Sequence, residues 1–405
     1  MVIANTLICD AHSQRHGDVR MQNGVIVEIG DSLTDDEMID GSGCYLLPGL
    51  VDTNVSLKDG QLNGKNLVSL ARYALSGGVS TVVLASEVTP KIDNEITLEF
   101  VHQHQHTQAG AVIECSISAL NDSGALSNIA ILLKKGALAV STSTLCDYNL
   151  ISRIAQYLQM NSKPLFYTSV DKSLFESGVM ADGSIATQLG LSGISPLSEI
   201  VHVASMIEVA RHFGIKIIFK SITEPRSIEL ISDAMALGID VMSEVSIHHL
   251  LKNDSVCMGY DSDAKINPPL VSEKKRLFLI RALKEGQIHL LSALHQPNSD
   301  IHKDITFNDA SFGTTSIGEY LPLCYTYLIK NETITMSRFI ELASKNPAHT
   351  IGMSKGVIEV GTPVDLVLFN PNGLTQVAHH HSLYKNETLQ GKVIIAIQRD
   401  EVTRF

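Results

Sequence analysis

Between residues 49 and 354 the chain alternates short, apolar, strand-like runs with amphipathic helical stretches, and this alternation restricts the fold more than any other feature. VSTVVLAS follows the helix-like GKNLVSLARYALSGG, ALAVSTST follows NIAILLKKG, and KPLFYTSV follows LISRIAQYLQM. The pattern continues with IKIIFKS after SEIVHVASMIEVARHFG, IDVMSEV after SIELISDAMALG, and IHLLSAL after EKKRLFLIRALKEG. With an opening strand at LLPGLVD, the count approaches the eight strand-helix units of an α/β fold of the (β/α)8 TIM-barrel type. Chemistry in such barrels sits at the C-terminal ends of the strands, so those residues matter most.

The two ends of the chain have a different texture. VIANTLICD, DVRMQNG, VIVEIGD and CYLLPG near the start, and GVIEVGTPVDLVLFNPNG and LQGKVIIAIQRDEV near the end, alternate apolar and polar residues between Gly and Asp turns. Residues 1–48 and 355–405 are therefore expected to build one small β-sandwich domain, with the 49–354 barrel domain inserted between them. An excess of 43 acidic over 31 basic residues, with no Lys/Arg cluster, argues against nucleic acid or an anionic membrane surface as partner. No apolar run is long enough for a membrane span, and no leader pattern opens the chain. Cys9, Cys44, Cys115, Cys146, Cys257 and Cys324 are scattered without framework spacing, as expected of inert thiols in a reducing, cytoplasmic setting.

The motifs then narrow the family. The entry Pro48-Gly49-Leu50-Val51-Asp52, Gly77-Gly78 before VSTVV, Pro90-Lys91-Ile92-Asp93, KINPPLVSEKKR, Ala310-Ser311-Phe312-Gly313, GEYLPLCYTYLI, SKNPAHTIGM and KGVIEVGTPVDLVLFNPN occur in the order found in bacterial dihydroorotases. Over nearly its whole length the chain resembles that branch of the amidohydrolase superfamily. The resemblance implies a hydrolase that opens or closes a cyclic amide with zinc-activated water.

At the positions where the resemblance places metal ligands and the catalytic base, this chain carries Asn54, Ser56, Ser143, Thr168, Ser221 and Leu294. None is an imidazole, thiolate or carboxylate, and a hydrocarbon at 294 cannot accept a proton from water. Lys58 stands where the family has a substrate-binding arginine, and Glu87 where it has an asparagine; Asn267 and His295 match family positions. The expectation is therefore a pseudo-dihydroorotase that is no enzyme and needs no metal or other cofactor. It resembles the dihydroorotase relatives that pair with the catalytic chain of aspartate carbamoyltransferase in de novo pyrimidine biosynthesis, as a homodimer or larger hetero-oligomer. Two alternatives stay open: an amidohydrolase with a relocated or metal-free site, and a sensor of a pyrimidine intermediate.

The remaining histidine clusters are given structural readings. His102, His104 and His106 are expected at a solvated helix end, and His248-His249 in helix capping and packing. His379-His380-His381 falls in an irregular segment where only adventitious metal binding is expected. Lys220, beside position 221, has no acid or base next to it in sequence and is read as structural.

Overall fold

The computed structural model describes residues 1–143, 147–175 and 177–405. Five short strands come first: β1 (Val2–Cys9), β2 (Gln14–Gln22), β3 (Val25–Gly30), β4 (Met38–Asp40) and β5 (Tyr45–Pro48). The barrel begins with β6 (Leu50–Val55), β7 (Val79–Leu84), β8 (Val112–Ser118), β9 (Ala139–Ser143) and β10 (Leu165–Thr168). Two short strands, β11 (Met180–Ala181) and β12 (Gly193–Ile194), pair with each other outside it. The barrel resumes with β13 (Ile217–Lys220), β14 (Val241–Ser246) and β15 (Leu290–Ser292), and the chain ends in β16 (Asp365–Gln376), β17 (Thr388–Gln398) and β18 (Glu401–Arg404).

The eight strands β6 to β10 and β13 to β15 run parallel, each hydrogen-bonded to the next in chain order. A single parallel bridge between Val55 and His295 joins the first strand to the end of the last, so the sheet closes almost completely. The expected TIM barrel is present. The two chain ends meet in a separate, mainly antiparallel sheet of order β18-β17-β16-β5-β1-β2-β3, with β4 alongside β1. β5 is where they join, since Leu46 and Leu47 face Leu368 and Val367 across an antiparallel register. That sheet has its own core, built around Ile3, Ile8, Val19, Leu46, Leu366 and Ile397.

Local physics accounts for the helices that clothe the barrel. Helix Gly64–Ser76 buries Leu67, Leu70, Ala71, Ala74 and Leu75, one face at the 3.6-residue period, and the Asn63 side chain caps it by accepting from the Asn66 N–H. It stops at Gly77, where a Cβ would lie 1.9 Å from the Ile317 carbonyl oxygen; only glycine allows that approach. His102 sits in the last turn of helix Glu95–Gln103, with His104 capping it, as expected from the sequence. The five described cysteines are free and buried; Cys146 lies outside the described residues. Among the described residues no helix is long and apolar enough to cross a membrane.

Candidate functional site

The C-terminal end of the barrel is organised around Glu244. Its residue alternates inward on β14, and its side chain is completely buried. One carboxylate oxygen accepts from Asn54 Nδ2 at 2.6 Å and Ser292 Oγ at 3.0 Å. The other accepts from Thr53 Oγ1 at 3.1 Å and pairs with Lys220 Nζ at 2.5 Å. Lys220, 7% exposed, also donates to the Thr53 carbonyl at 2.5 Å and lies 4.7 Å from the Phe166 ring centre. Asn54 donates further to Ser221 Oγ at 2.7 Å. Strands β6, β13 and β15 are thus tied to one anion on β14, whose charge a single ammonium balances.

A second buried carboxylate braces the same end. Asp52 accepts from the backbone N–H groups of Ala293 at 2.7 Å and Asn54 at 2.8 Å, linking β6 to the end of β15. Burial pushes its pKa up to about 7, against those two hydrogen bonds. Above these groups lies a cleft of about 80 Å³, lined by Thr53, Asn54, Glu87, Thr168 and Lys220 among others. That volume has room for several waters.

The residues singled out in the sequence do not form one site. Asn54 and Thr168 line the cleft, and Ser221 is buried against Asn54. Ser56 is held at the barrel seam, its N–H donating to the His295 carbonyl at 2.8 Å. Leu294 packs with Ile266 and Leu270 in a small apolar cluster. The Ser143 side chain lies outside the described residues. Lys58 is exposed, and Asn267 lines a separate pocket with Glu199 and Phe175. His295 is buried, and its Nδ1 accepts from the backbone N–H groups of Ser316 and Ile317 at 3.2 and 3.4 Å, an anchoring role. His248 and His249 are packed as expected: His248 Nδ1 lies 3.0 Å from the Tyr384 hydroxyl, and His249 Nε2 lies 3.0 Å from the Pro268 carbonyl.

The donor set at the mouth is a poor match for the zinc that the resemblance implies. Asn54 presents its amide N–H2 to Ser221 and Glu244, Thr168 offers a neutral hydroxyl, and Leu294 offers only carbon. Zinc is held by thiolate, imidazole or carboxylate; the buried carboxylate of Glu244 is already bound to Lys220, and Glu87 at the rim pairs with Lys91 and accepts from Ser118, so the residues present do not fit the ion. Lys220 is structural, as read from the sequence, but its acid partner was invisible there because Glu244 reaches it across neighbouring strands. The available signal was a lone Glu in the otherwise apolar and small strand VMSEVS.

Metal-ligating groups do meet elsewhere. His380 Nε2 and His381 Nε2 lie 3.0 and 3.1 Å from the same oxygen of Asp300, a three-residue group able to hold a metal ion. The sequence treated the three histidines in isolation, since Asp300 is 80 residues from His380.

Two predictions follow from the mouth. Lys220→Met strands a buried anion and is expected to lower unfolding stability by about 3–5 kcal/mol, whereas adding Glu244→Gln should recover most of the loss; urea unfolding of the three proteins checks this, and an additive double mutant would contradict it. His295 provides the second. Burial, with His379 adding to it, lowers its pKa to about 3, so between pH 6.5 and 3 the unfolded chain takes up a proton that the folded chain refuses. The stability this supplies at neutral pH is lost as pH falls through that window. In His295→Gln the loss of Tm from pH 6.5 to 4.5 should be smaller than in the parent, the other buried titrating groups being common to both proteins; an identical pH profile would refute the assignment.

The comparisons with known proteins agree with the fold. The amidohydrolase family model matches residues 200–395. A protein named dihydroorotase from Caldanaerobacter subterraneus subsp. tengcongensis is 30% identical over 381 residues, covering 92% of this chain and 88% of the relative. Another, from Clostridioides difficile, is 30% identical over 416 residues and 99% of both chains. The solved L-hydantoinase (dihydropyrimidinase) from Arthrobacter aurescens superposes with a TM-score of 0.87 at 18% identity, covering 100% of this chain and 95% of that one, which speaks to the fold alone. The expectation that the chain is no enzyme is overturned by these relatives, named for an enzyme, and by the Asp300, His380 and His381 group. That expectation weighed only the strand-end positions, whereas folding assembles ligating atoms from distant segments. At 30% identity over 92% of its length, the chain belongs to the amidohydrolase superfamily, in its dihydroorotase-like branch.

Proposed function

We propose that this dihydroorotase-like chain acts in de novo pyrimidine biosynthesis as a subunit assembled with the catalytic chain of aspartate carbamoyltransferase. The observation that carries the reading is the Glu244 network. The barrel keeps its whole architecture, while its mouth is tied up by Lys220, Asn54, Thr53 and Ser292 in place of the family's metal donors. Dihydroorotase-like chains with replaced ligands, which this one resembles at Asn54, Ser56, Thr168, Ser221 and Leu294, form a class that pairs with the transcarbamoylase. The complex is cytoplasmic and holds this chain as a homodimer or in a larger hetero-oligomer. The free, buried thiols suit such a reducing setting.

A second reading draws on the Asp300, His380 and His381 group: a cyclic-amide hydrolase whose metal has moved out of the barrel. Co-expression with the aspartate carbamoyltransferase catalytic chain of the same organism, followed by size-exclusion chromatography and assays of both activities, separates the two. Co-elution of both chains with transcarbamoylase activity is the expected result. Separate peaks, with cyclic-amide turnover in this chain that is lost in His380→Ala, would replace the first reading by the second.

A further inference from the structure

After β15 the chain leaves the barrel through Pro297 and enters a short helix, Asp300–Lys303, and the segment that carries His379 to Leu383 crosses over this region. The crossing is fixed by backbone contacts. The Thr315 N–H donates to the His381 carbonyl at 3.0 Å, and the Leu383 N–H to Thr314 Oγ1 at 2.9 Å. It brings three ligating atoms together, since His380 Nε2 and His381 Nε2 converge on Asp300 Oδ1 at 3.0 and 3.1 Å. A fourth, Asp304 Oδ1, lies 3.9 Å from His381 Nε2.

What stands behind this group distinguishes it from a chance surface cluster. His381 is only 4% exposed, and its other ring nitrogen, Nδ1, lies 3.0 Å from Asp263 Oδ1, on a carboxylate that is itself 4% exposed. The second oxygen of Asp263 pairs with Lys385 at 3.0 Å. A buried carboxylate behind an imidazole fixes the tautomer of a metal-bound histidine, because Nδ1 donates to it and the Nε2 lone pair is left to point at the ion. Here that lone pair points at Asp300, and two acceptors facing each other at 3.1 Å need a cation or a proton between them. Tetrahedral zinc with bonds of about 2.0–2.2 Å separates its ligand atoms by about 3.4 Å, a few tenths of an ångström beyond the two contacts to Asp300, and the three ligand atoms all lie within 4.8 Å of one another.

We propose that Asp300, His380 and His381 bind one divalent transition-metal ion of the zinc class, with Asp304 or water completing the shell. The ion pins the loop after the last barrel strand to the segment that leads back to the end sheet. Asp300 and His380 face solvent, which gives the ion its way in. The site does not depend on the partner reading, and its test needs no activity or second chain.

The test uses the full chain without a purification tag, freed of metal and titrated with zinc by calorimetry, with metal content measured after gel filtration. His380→Ala and Asp300→Asn serve as variants because both residues are exposed and their loss leaves the buried Asp263–His381 pair in place. The expected result is about one zinc per chain, an affinity more than about tenfold weaker in each variant, and a zinc-dependent rise in Tm in the parent that the variants lose. Cobalt in place of zinc should give the intense visible absorption of a tetrahedral site in the parent only. Absence of stoichiometric binding, or binding equally tight in both variants, would overturn the proposal.

Discussion

One buried anion determines what the mouth of this barrel can be. Glu244 accepts four contacts, from Thr53 and Asn54 on β6, Lys220 on β13 and Ser292 just across on β15, so three strands are referenced to a single carboxylate. A charge removed from water has to be paired and hydrogen-bonded, and Lys220 is the only part of that network able to neutralise it. The ammonium occupies the electrostatic role that a bound dication would otherwise take. A zinc ion placed beside it would meet a positive charge and a set of hydroxyl and amide groups.

The backbone at the mouth turns sharply at two of the positions singled out in the sequence. Ser221 and Leu294, which directly follow β13 and lie two residues after β15, both adopt left-handed φ values, 51° and 46°. For a residue other than glycine that conformation costs roughly 1–2 kcal/mol. Leu294 offsets part of it by packing with Ile266 and Leu270, and Ser221 by accepting from Asn54. Asp52, bonded to backbone on both sides of the seam, holds the first and last strands together where the Val55–His295 bridge ends.

The barrel was legible in the sequence because each strand-helix unit announces itself locally, by period and by turn residues. The packing of His248 and His249, and the helix end at His102 and His104, were legible for the same reason. The partners of Lys220 and of His381 were not, because no local spacing encodes them. Glu244 meets Lys220 only when β13 and β14 lie side by side, and Asp300 meets His380 only when the chain crosses itself 80 residues later. Asn267 and His295 matched family positions in sequence, yet one lines a separate pocket and the other anchors a backbone turn. The inference that lost strand-end ligands meant a chain without enzyme activity failed at the same step, by treating a tertiary property as a linear one.

The most direct measurement of this account is anomalous scattering at the zinc edge from crystals of the zinc-loaded protein. A single strong peak is expected between Asp300, His380 and His381, with the mouth held by Lys220 and Glu244 and free of anomalous density. A peak beside Asn54 and Ser221, with Lys220 displaced from Glu244, would contradict it.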